Sequence, residues 1–327
     1  MTRITLSRAI NEGLRRSLES DPKVMIMGED VGKLGGVFRV TDGLQKDFGE
    51  HRVVDTPLSE AGIVGTAIGL ALRGYRPVCE IQFDGFVYPA TDQIVSQLAK
   101  MRYRSRGRVT LPVVIRIPFG GGIGAVEHHS ESPEVFFAHT AGLRVVACAD
   151  PADAFAMIQL AIASDDPVIF FEPKRRYWDK AEVDLAAPLT DALPLDQARI
   201  VAPGDDVTLL SYGPLVRTCL EAALAAQQDG RSVEVIDLRS LSPLDMATIA
   251  ASVARTGRCV IAHEAPVYAG LGAEIAARVT EECFYHLEAP VLRVGGFAIP
   301  YPAARTEDHY LPDLDRILDA VDRTFAY

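Results

Sequence analysis

The chain has 327 residues, 48% hydrophobic and 24% charged, with a formal net charge of −11. That length suggests two domains, and the composition excludes disorder as the main state. The acidic balance argues against nucleic acid and against an anionic membrane surface as partners.

Leu6, Ile10, Leu14 and Leu18 recur every four residues and predict a first helix over 5–19, ended by Asp21-Pro22. VMIM at 24–27 does not alternate, as expected of a strand buried on both faces. VVD at 53–55 reads as a strand, followed by a helix from Ser59. VCEIQF (78–83) reads as a strand and 90–101 as a helix. VVIRI (113–117), LRVVACA (143–149) and VIFFE (168–172) read as strands, with a helix over 153–163. Residues 179–206 hold three prolines and seven acids without a sustained period, and read as a linker. Alternation then resumes: strands at 207–212, 233–238, 259–263 and 291–294, and helices at 215–228, after Ser242-Pro243 with the proline in the first turn, and at 271–284. The expectation is an α/β protein of two three-layer domains with mostly parallel sheets, 1–185 and 186–327.

The apolar stretch Ala61–Leu72 is too short to span a bilayer, and the N-terminus carries no secretory signal. Cys79, Cys148, Cys219, Cys259 and Cys283 are widely spaced, with no CxxC, and read as reduced thiols in a cytoplasm.

Two segments carry chemistry. In Asp55-Thr56-Pro57-Leu58-Ser59-Glu60, a strand ends, Thr-Pro turns, and Ser59 caps a helix that opens on Glu60. Gly62, Gly65 and Gly69 would give that helix a bare face for close packing. A carboxylate there favours the helix dipole, and it also faces the crevice at the strand ends. The second segment is PFGGGIGAVEHHSESPE, 118–134. It lacks the G-x-G-x-x-G spacing, which disfavours a nucleotide-binding oxidoreductase. Ser132 is expected to cap a helix starting at Pro133, with Glu134 in its first turn. That would put His129 just before a positive helix end, where a neutral imidazole is favoured. The basic run Lys100, Arg102, Arg104, Arg106 and Arg108 reads as a solvated helix end, or as a docking surface for an acidic partner.

GED (28–30), GGVFRVTDGL (35–44), DTPLSEAGIVG (55–65), EIQFDGFVYPATDQI (80–94), HHSESPE (128–134), GLRVV (142–146), DPVIFFEPKRRY (166–177) and HEAP (263–266) resemble the β subunit of the decarboxylating component of 2-oxo acid dehydrogenase complexes. The resemblance spans the whole chain. GGVFR, Tyr88-Pro89-Ala90 and HEAP are most similar to the branched-chain (2-oxoisovalerate) variety; the pyruvate variety typically has glutamine at Pro89.

The resemblance implies a transketolase-like pyrimidine-binding domain followed by a transketolase C-terminal-like domain. It implies thiamine diphosphate shared with an α subunit in a heterotetramer of two α and two β chains. It also implies a lipoyl acyltransferase core as partner and a small 2-oxo acid as substrate. Magnesium would be held by the α subunit through a Gly-Asp-Gly motif. This chain has no such motif; its nearest string is Gly204-Asp205-Asp206. By the same resemblance Glu60 bonds the cofactor pyrimidine, Leu58 and Phe86 line its pocket, and His129 transfers a proton when the acyl group passes to lipoamide. Val113, Ala161, Ile162, Ser164 and Asp166 would hold potassium, with Ser164 where the family usually has Asp. Pyruvate or acetoin specificity is the alternative within this chemistry. A mainly structural or docking subunit is the alternative outside it.

Overall fold

The unalternating apolar runs become strands buried on both faces, as parallel sheets covered by helices require. The computed structural model describes every residue, Met1–Tyr327. The first half runs β1 (Thr2–Thr5), α1 (Leu6–Ser20), β2 (Val24–Gly28), α2 (Leu44–Phe48), β3 (Val53–Asp55), α3 (Glu60–Leu72), β4 (Arg76–Glu80), α4 (Ala99–Arg104), β5 (Val114–Phe119), α5 (Glu134–Ala138), β6 (Arg144–Ala147), α6 (Pro151–Ala163), β7 (Val168–Pro173) and β8 (Lys180–Val183). The second half runs β9 (Arg199–Ala202), β10 (Val207–Ser211), α7 (Val216–Gln228), β11 (Val233–Asp237), β12 (Ser240–Ser242), α8 (Met246–Thr256), β13 (Cys259–Pro266), α9 (Leu271–Cys283), β14 (Leu292–Gly296), α10 (Glu307–Tyr310) and α11 (Leu314–Arg323).

The larger sheet has the order β12-β6-β7-β5-β4-β2-β3, the smaller β14-β13-β10-β11-β9. Within these two sheets every pairing is parallel except those of the edge strands β12 and β9. One apolar core covers a face of each sheet and joins them, with Phe119, Phe171, Leu210, Tyr212 and Leu238 in one cluster. A second core lies under α1 and α6, and a third under α7 and α11. The four-residue spacing in α1 does what it predicted: Leu6, Ile10, Leu14 and Leu18 are buried. Gly13 lets α1 approach α6, since a Cβ there would sit 2.4 Å from Ile158 Cγ2.

Several boundaries differ from expectation. The supposed linker opens with β8, which pairs antiparallel with β1, and contains β9, which extends the second sheet. These short edge strands have little periodicity to read. Pro243 follows a cis bond and lies before the next helix, which starts at Met246 under an Asp245 cap. The preceding residues form β12, which returns to the edge of the first sheet beside β6 and so crosses the 185/186 division. Arg239 anchors that return. It is fully buried, donates to Asp153 Oδ2 at 2.7 Å, and also reaches the carbonyls of Pro194 and Gln197. The helix expected over 90–101 is instead a tight turn at 84–90, a wide-turned helix at 92–98, and α4. The glycine face of α3 is largely open: nothing lies within 4 Å of a Cβ at Gly69.

Arg116 in β5 ties three adjacent strands. Its guanidinium binds Glu172 in bidentate fashion at 2.6 and 2.9 Å and Glu80 at 2.5 Å, all fully or nearly fully buried. Tyr177 donates a further bond to Glu172 at 2.7 Å. Removing the cation strands two buried carboxylates. Arg116→Met is therefore expected to cost about 3–5 kcal/mol of unfolding free energy in urea titration. A loss below about 1 kcal/mol, the range of an exposed pair, would contradict this account.

Candidate active site

β7, β5, β4, β2 and β3 are neighbours and parallel, so their carboxyl ends lie along one edge of the sheet. Ligands of open α/β sheets bind at such edges. The segment after each of these strands brings at least one chemically useful side chain.

After β2 comes Glu29, and after β3 come Leu58 and Glu60. The two strand ends are tied: Thr56 N–H donates to the Gly28 carbonyl at 2.9 Å, and Gly32 N–H to Asp55 Oδ1 at 2.6 Å. Ser59 Oγ accepts from Gly62 N–H at 3.2 Å, so the helix opens where the sequence placed it. Glu60 is only 8% exposed, whereas Leu58 is 80% exposed. Glu29 was missed by sequence reasoning, although GED at 28–30 was visible. Its Oε1 is buried without a partner. Burial, then the charges of Glu60 and Asp30, push its carboxyl above the usual range.

After β4 come Phe83, Asp84 and Phe86, in the turn that packs against α3. Gly85 is required there: a Cβ would lie 2.3 Å from the His128 carbonyl oxygen. After β5 the glycine loop leads to a tight turn, Glu127–His129. The His129 ring stacks on Phe83 at 4.0 Å between centroids and meets Phe86 edge-on at 5.0 Å. The ring is half-buried, and its Nδ1 has no partner. Burial is the largest influence lowering its pKa, and the charges of His128 and Lys174 act the same way. The expected helix-end origin of that shift is corrected here. Helix α5 is five residues long, begins at Glu134 and has no side-chain cap, so Ser132 does not cap it. His128 is exposed.

The four glycine amides of the loop are all occupied, that of Gly120 by the Glu131 carbonyl. Gly121 N–H donates to Glu264 Oε2, and Gly122 and Gly124 donate to Glu307, at 2.8–3.1 Å. No group of three or more His, Cys, Asp or Glu side chains is placed to hold a metal ion.

Residues 2–179 match the transketolase pyrimidine-binding domain and residues 196–317 the transketolase C-terminal domain. The chain is 62% identical to a pyruvate dehydrogenase E1 component subunit beta of Leifsonia xyli, covering 99% of this chain and 95% of that one. It is 55% identical to a 3-methyl-2-oxobutanoate dehydrogenase subunit beta of Mycobacterium tuberculosis, covering 98% and 91%. A split-gene transketolase in an inactive β4 tetramer superposes with a TM-score of 0.81 at 22% identity, over 99% of this chain and 98% of that one. The chain belongs to the E1 β-subunit family of 2-oxo acid dehydrogenases. The expected fold, two transketolase-like domains with mostly parallel sheets, is the observed one.

The pyrimidine edge of thiamine diphosphate, the cofactor implied by this family, fits the residues present. A buried carboxyl oxygen of Glu29 lacks a partner beside Glu60, and aromatic rings flank the crevice. At the positions that the family gives to potassium, the carbonyls already accept hydrogen bonds from this chain's own donors. The carbonyls of Ile162 and Ser164 each accept from Arg76 Nη1 at 3.0 Å. The Asp166 carbonyl accepts from Ser164 Oγ at 3.1 Å, that of Ala161 from Ser164 N–H at 3.2 Å, and that of Val113 from Val168 N–H at 2.9 Å. The Asp166 carboxylate pairs with Arg102. The Arg76 guanidinium, paired with Asp165 at 2.8 Å, already places a cation against the carbonyls of Ile162 and Ser164. The thermal midpoint is therefore expected to be the same in potassium and choline buffers. Arg76→Gln is expected to lower it and to make it respond to potassium. A parent midpoint that climbs with potassium concentration would show a bound ion instead.

Proposed function

We propose that this chain forms half of a thiamine diphosphate site and, with an α subunit, decarboxylates branched-chain 2-oxo acids and passes the acyl group to a lipoyl group. The observation that carries this reading is Glu60, a nearly buried carboxylate at a helix start on the strand-end edge, with Glu29 beside it and Phe86 and His129 meeting edge-on nearby. Bound thiamine diphosphate supplies the carbon nucleophile that attacks the 2-oxo group and holds the electrons left by departing carbon dioxide.

Each residue then has a defined task. Glu60 shares a proton with the pyrimidine ring nitrogen, which requires a fixed carboxylate. Glu29 stands beside Glu60, and burial together with the Glu60 charge raises its carboxyl above the usual range. Leu58 and Phe86 cover the ring. His129 acts in acyl transfer: the lipoyl disulfide breaks, one sulfur takes the acyl group, and the other leaves as a thiolate that takes up a proton. The two electrons that reduce the disulfide come from the acyl carbon.

The occupied glycine amides support leaving the diphosphate to the α subunit, and the family resemblance adds magnesium there and a tetramer of two α and two β chains. Five buried free cysteines support a cytoplasmic location, and no helix is long and apolar enough to cross a membrane. GGVFR, Tyr88-Pro89-Ala90, HEAP and the Mycobacterium relative support a branched-chain substrate. The Leifsonia relative favours pyruvate as a second reading. Rates on 3-methyl-2-oxobutanoate, pyruvate and an acetoin-type substrate, measured on the co-purified α and β chains, decide between them. A docking-only subunit has no need of the Glu29–Glu60 pair.

Glu60→Gln in the assembled enzyme is expected to keep the fold and lose about 10²–10⁴-fold in decarboxylation at saturating cofactor. A rate within about threefold of the parent would exclude a role in general acid–base catalysis, whose contribution is far larger.

His129→Ala is expected to damage transfer to a free lipoyl domain far more than decarboxylation measured with a dye acceptor. His128→Ala should do much less in both assays. Equal losses for the two histidines would assign the wrong one.

A further inference from the structure

Lys174 and Asp84 form an ion pair with no solvent exposure of either side chain. They come from different strand ends, Asp84 after β4 and Lys174 after β7, and the end of β5 lies between them. A buried ion pair gives little net stability, because desolvation offsets the attraction. Packing alone does not account for it, so its connections matter.

Those connections run to the histidine turn by two routes. Asp84 Oδ2 accepts from Glu131 N–H at 2.8 Å, two residues beyond His129. The Glu131 carbonyl in turn accepts from Gly120 N–H at 2.9 Å, closing the loop at its base. Lys174 Nζ lies 5.6 Å from the centroid of the Phe83 ring, on which the His129 imidazole stacks. Nζ also reaches the Pro118 carbonyl at the end of β5, at 3.4 Å. One buried pair therefore holds the loop backbone and backs the ring that supports the imidazole.

We propose that Lys174 and Asp84 are positioning residues for His129, holding its imidazole for proton transfer to the departing lipoyl sulfur. This rests on the acyl-transfer role proposed for His129. The charged and titratable groups around the imidazole are His128 and Glu127 on its own turn, Glu131 beyond it, Asp84 on the turn after β4, and Lys174 after β7. Of these, Lys174 and His128 disfavour imidazolium, and Glu127 favours it. Of these three, only Lys174 is buried, since His128 and Glu127 are exposed.

The test uses the enzyme assembled with its α subunit and compares Lys174→Met, Asp84→Asn, the double variant and His129→Ala. Circular dichroism and co-purification check assembly. The double variant is neutral, so it stays informative where a single change leaves an unpaired buried charge and fails to fold. Displacement by about 1 Å can cost about 10²-fold, so the double variant is expected to lose about 10- to 100-fold in kcat for a free lipoyl domain. Decarboxylation with a dye acceptor is expected to change far less. In Lys174→Met the inflection that His129 imposes on the pH profile of acyl transfer should move to higher pH, because a repelling cation is gone, and in the double variant, which loses the Asp84 carboxylate as well, it should move less. Equal losses in both assays, or an unmoved inflection, would overturn the proposal. So would a double variant with parental acyl transfer, if His129→Ala is selectively impaired. If His129→Ala itself shows no selective loss, the reading of His129 fails first and this inference falls with it.

Discussion

The parallel direction of the large sheet is the constraint from which the site follows. Strands β7, β5, β4, β2 and β3 point the same way and must release their chains at one edge. Residues far apart in sequence, from Glu29 to Lys174, are thereby brought to one line. The hydrogen-bond ladder fixes their spacing more firmly than loops could. Rigid strands supply positions, and short turns supply chemistry. The turns are themselves pinned, by Gly85 against His128 and by Thr56 against Gly28.

The same edge is unusually rich in buried charge. Arg116 with Glu80 and Glu172, and Lys174 with Asp84, lie along the carboxyl ends of three adjacent strands. Apolar side chains of similar volume could fill this space at comparable or lower free energy. What they could not do is fix direction. A bidentate guanidinium holds two strands at a defined register, whereas a packed leucine tolerates sliding. Arg239 does the same work farther away, drawing β12 back to the first sheet through Asp153 and the carbonyls of Pro194 and Gln197. Precision at the site is built from interactions that contribute little to its stability.

How much of this was legible in the sequence depended on whether the signal was local. Buried strands and amphipathic helices announce themselves through runs and periods, so β2, β3, β5, α1, α6 and α7 lie where periodicity put them. The Ser59 cap and Glu60 were legible because capping is read from adjacent residues. The short edge strands β1, β8, β9 and β12 carry too few residues for a pattern and owe their pairing to distant partners. An environment that disfavours imidazolium at His129 was expected, but its cause was not. The sequence offered a helix end, and the fold supplies burial between two phenylalanines. Glu29, Asp84 and Lys174 sit inside motifs that were visible, yet their roles arise only when three strand ends meet. Pairing across 90 residues leaves no mark in either segment alone.

Several features of the crevice are costly to the isolated chain. Leu58 is 80% exposed at its mouth, and Glu29 Oε1 and His129 Nδ1 are buried without partners. An unmade hydrogen bond of this kind costs about 1–3 kcal/mol, and exposure of a leucine side chain a similar amount. A folded chain retains such features where something else relieves them. The exposed apolar group and the unpartnered polar atoms lie on the same strand-end edge, so one event could relieve both. A ring with apolar faces and hydrogen-bonding edge atoms, covered by a second chain, meets both demands. Where the ring and the second chain also touch each other, each adds contact surface for the other, and their binding free energies are linked through that shared contact.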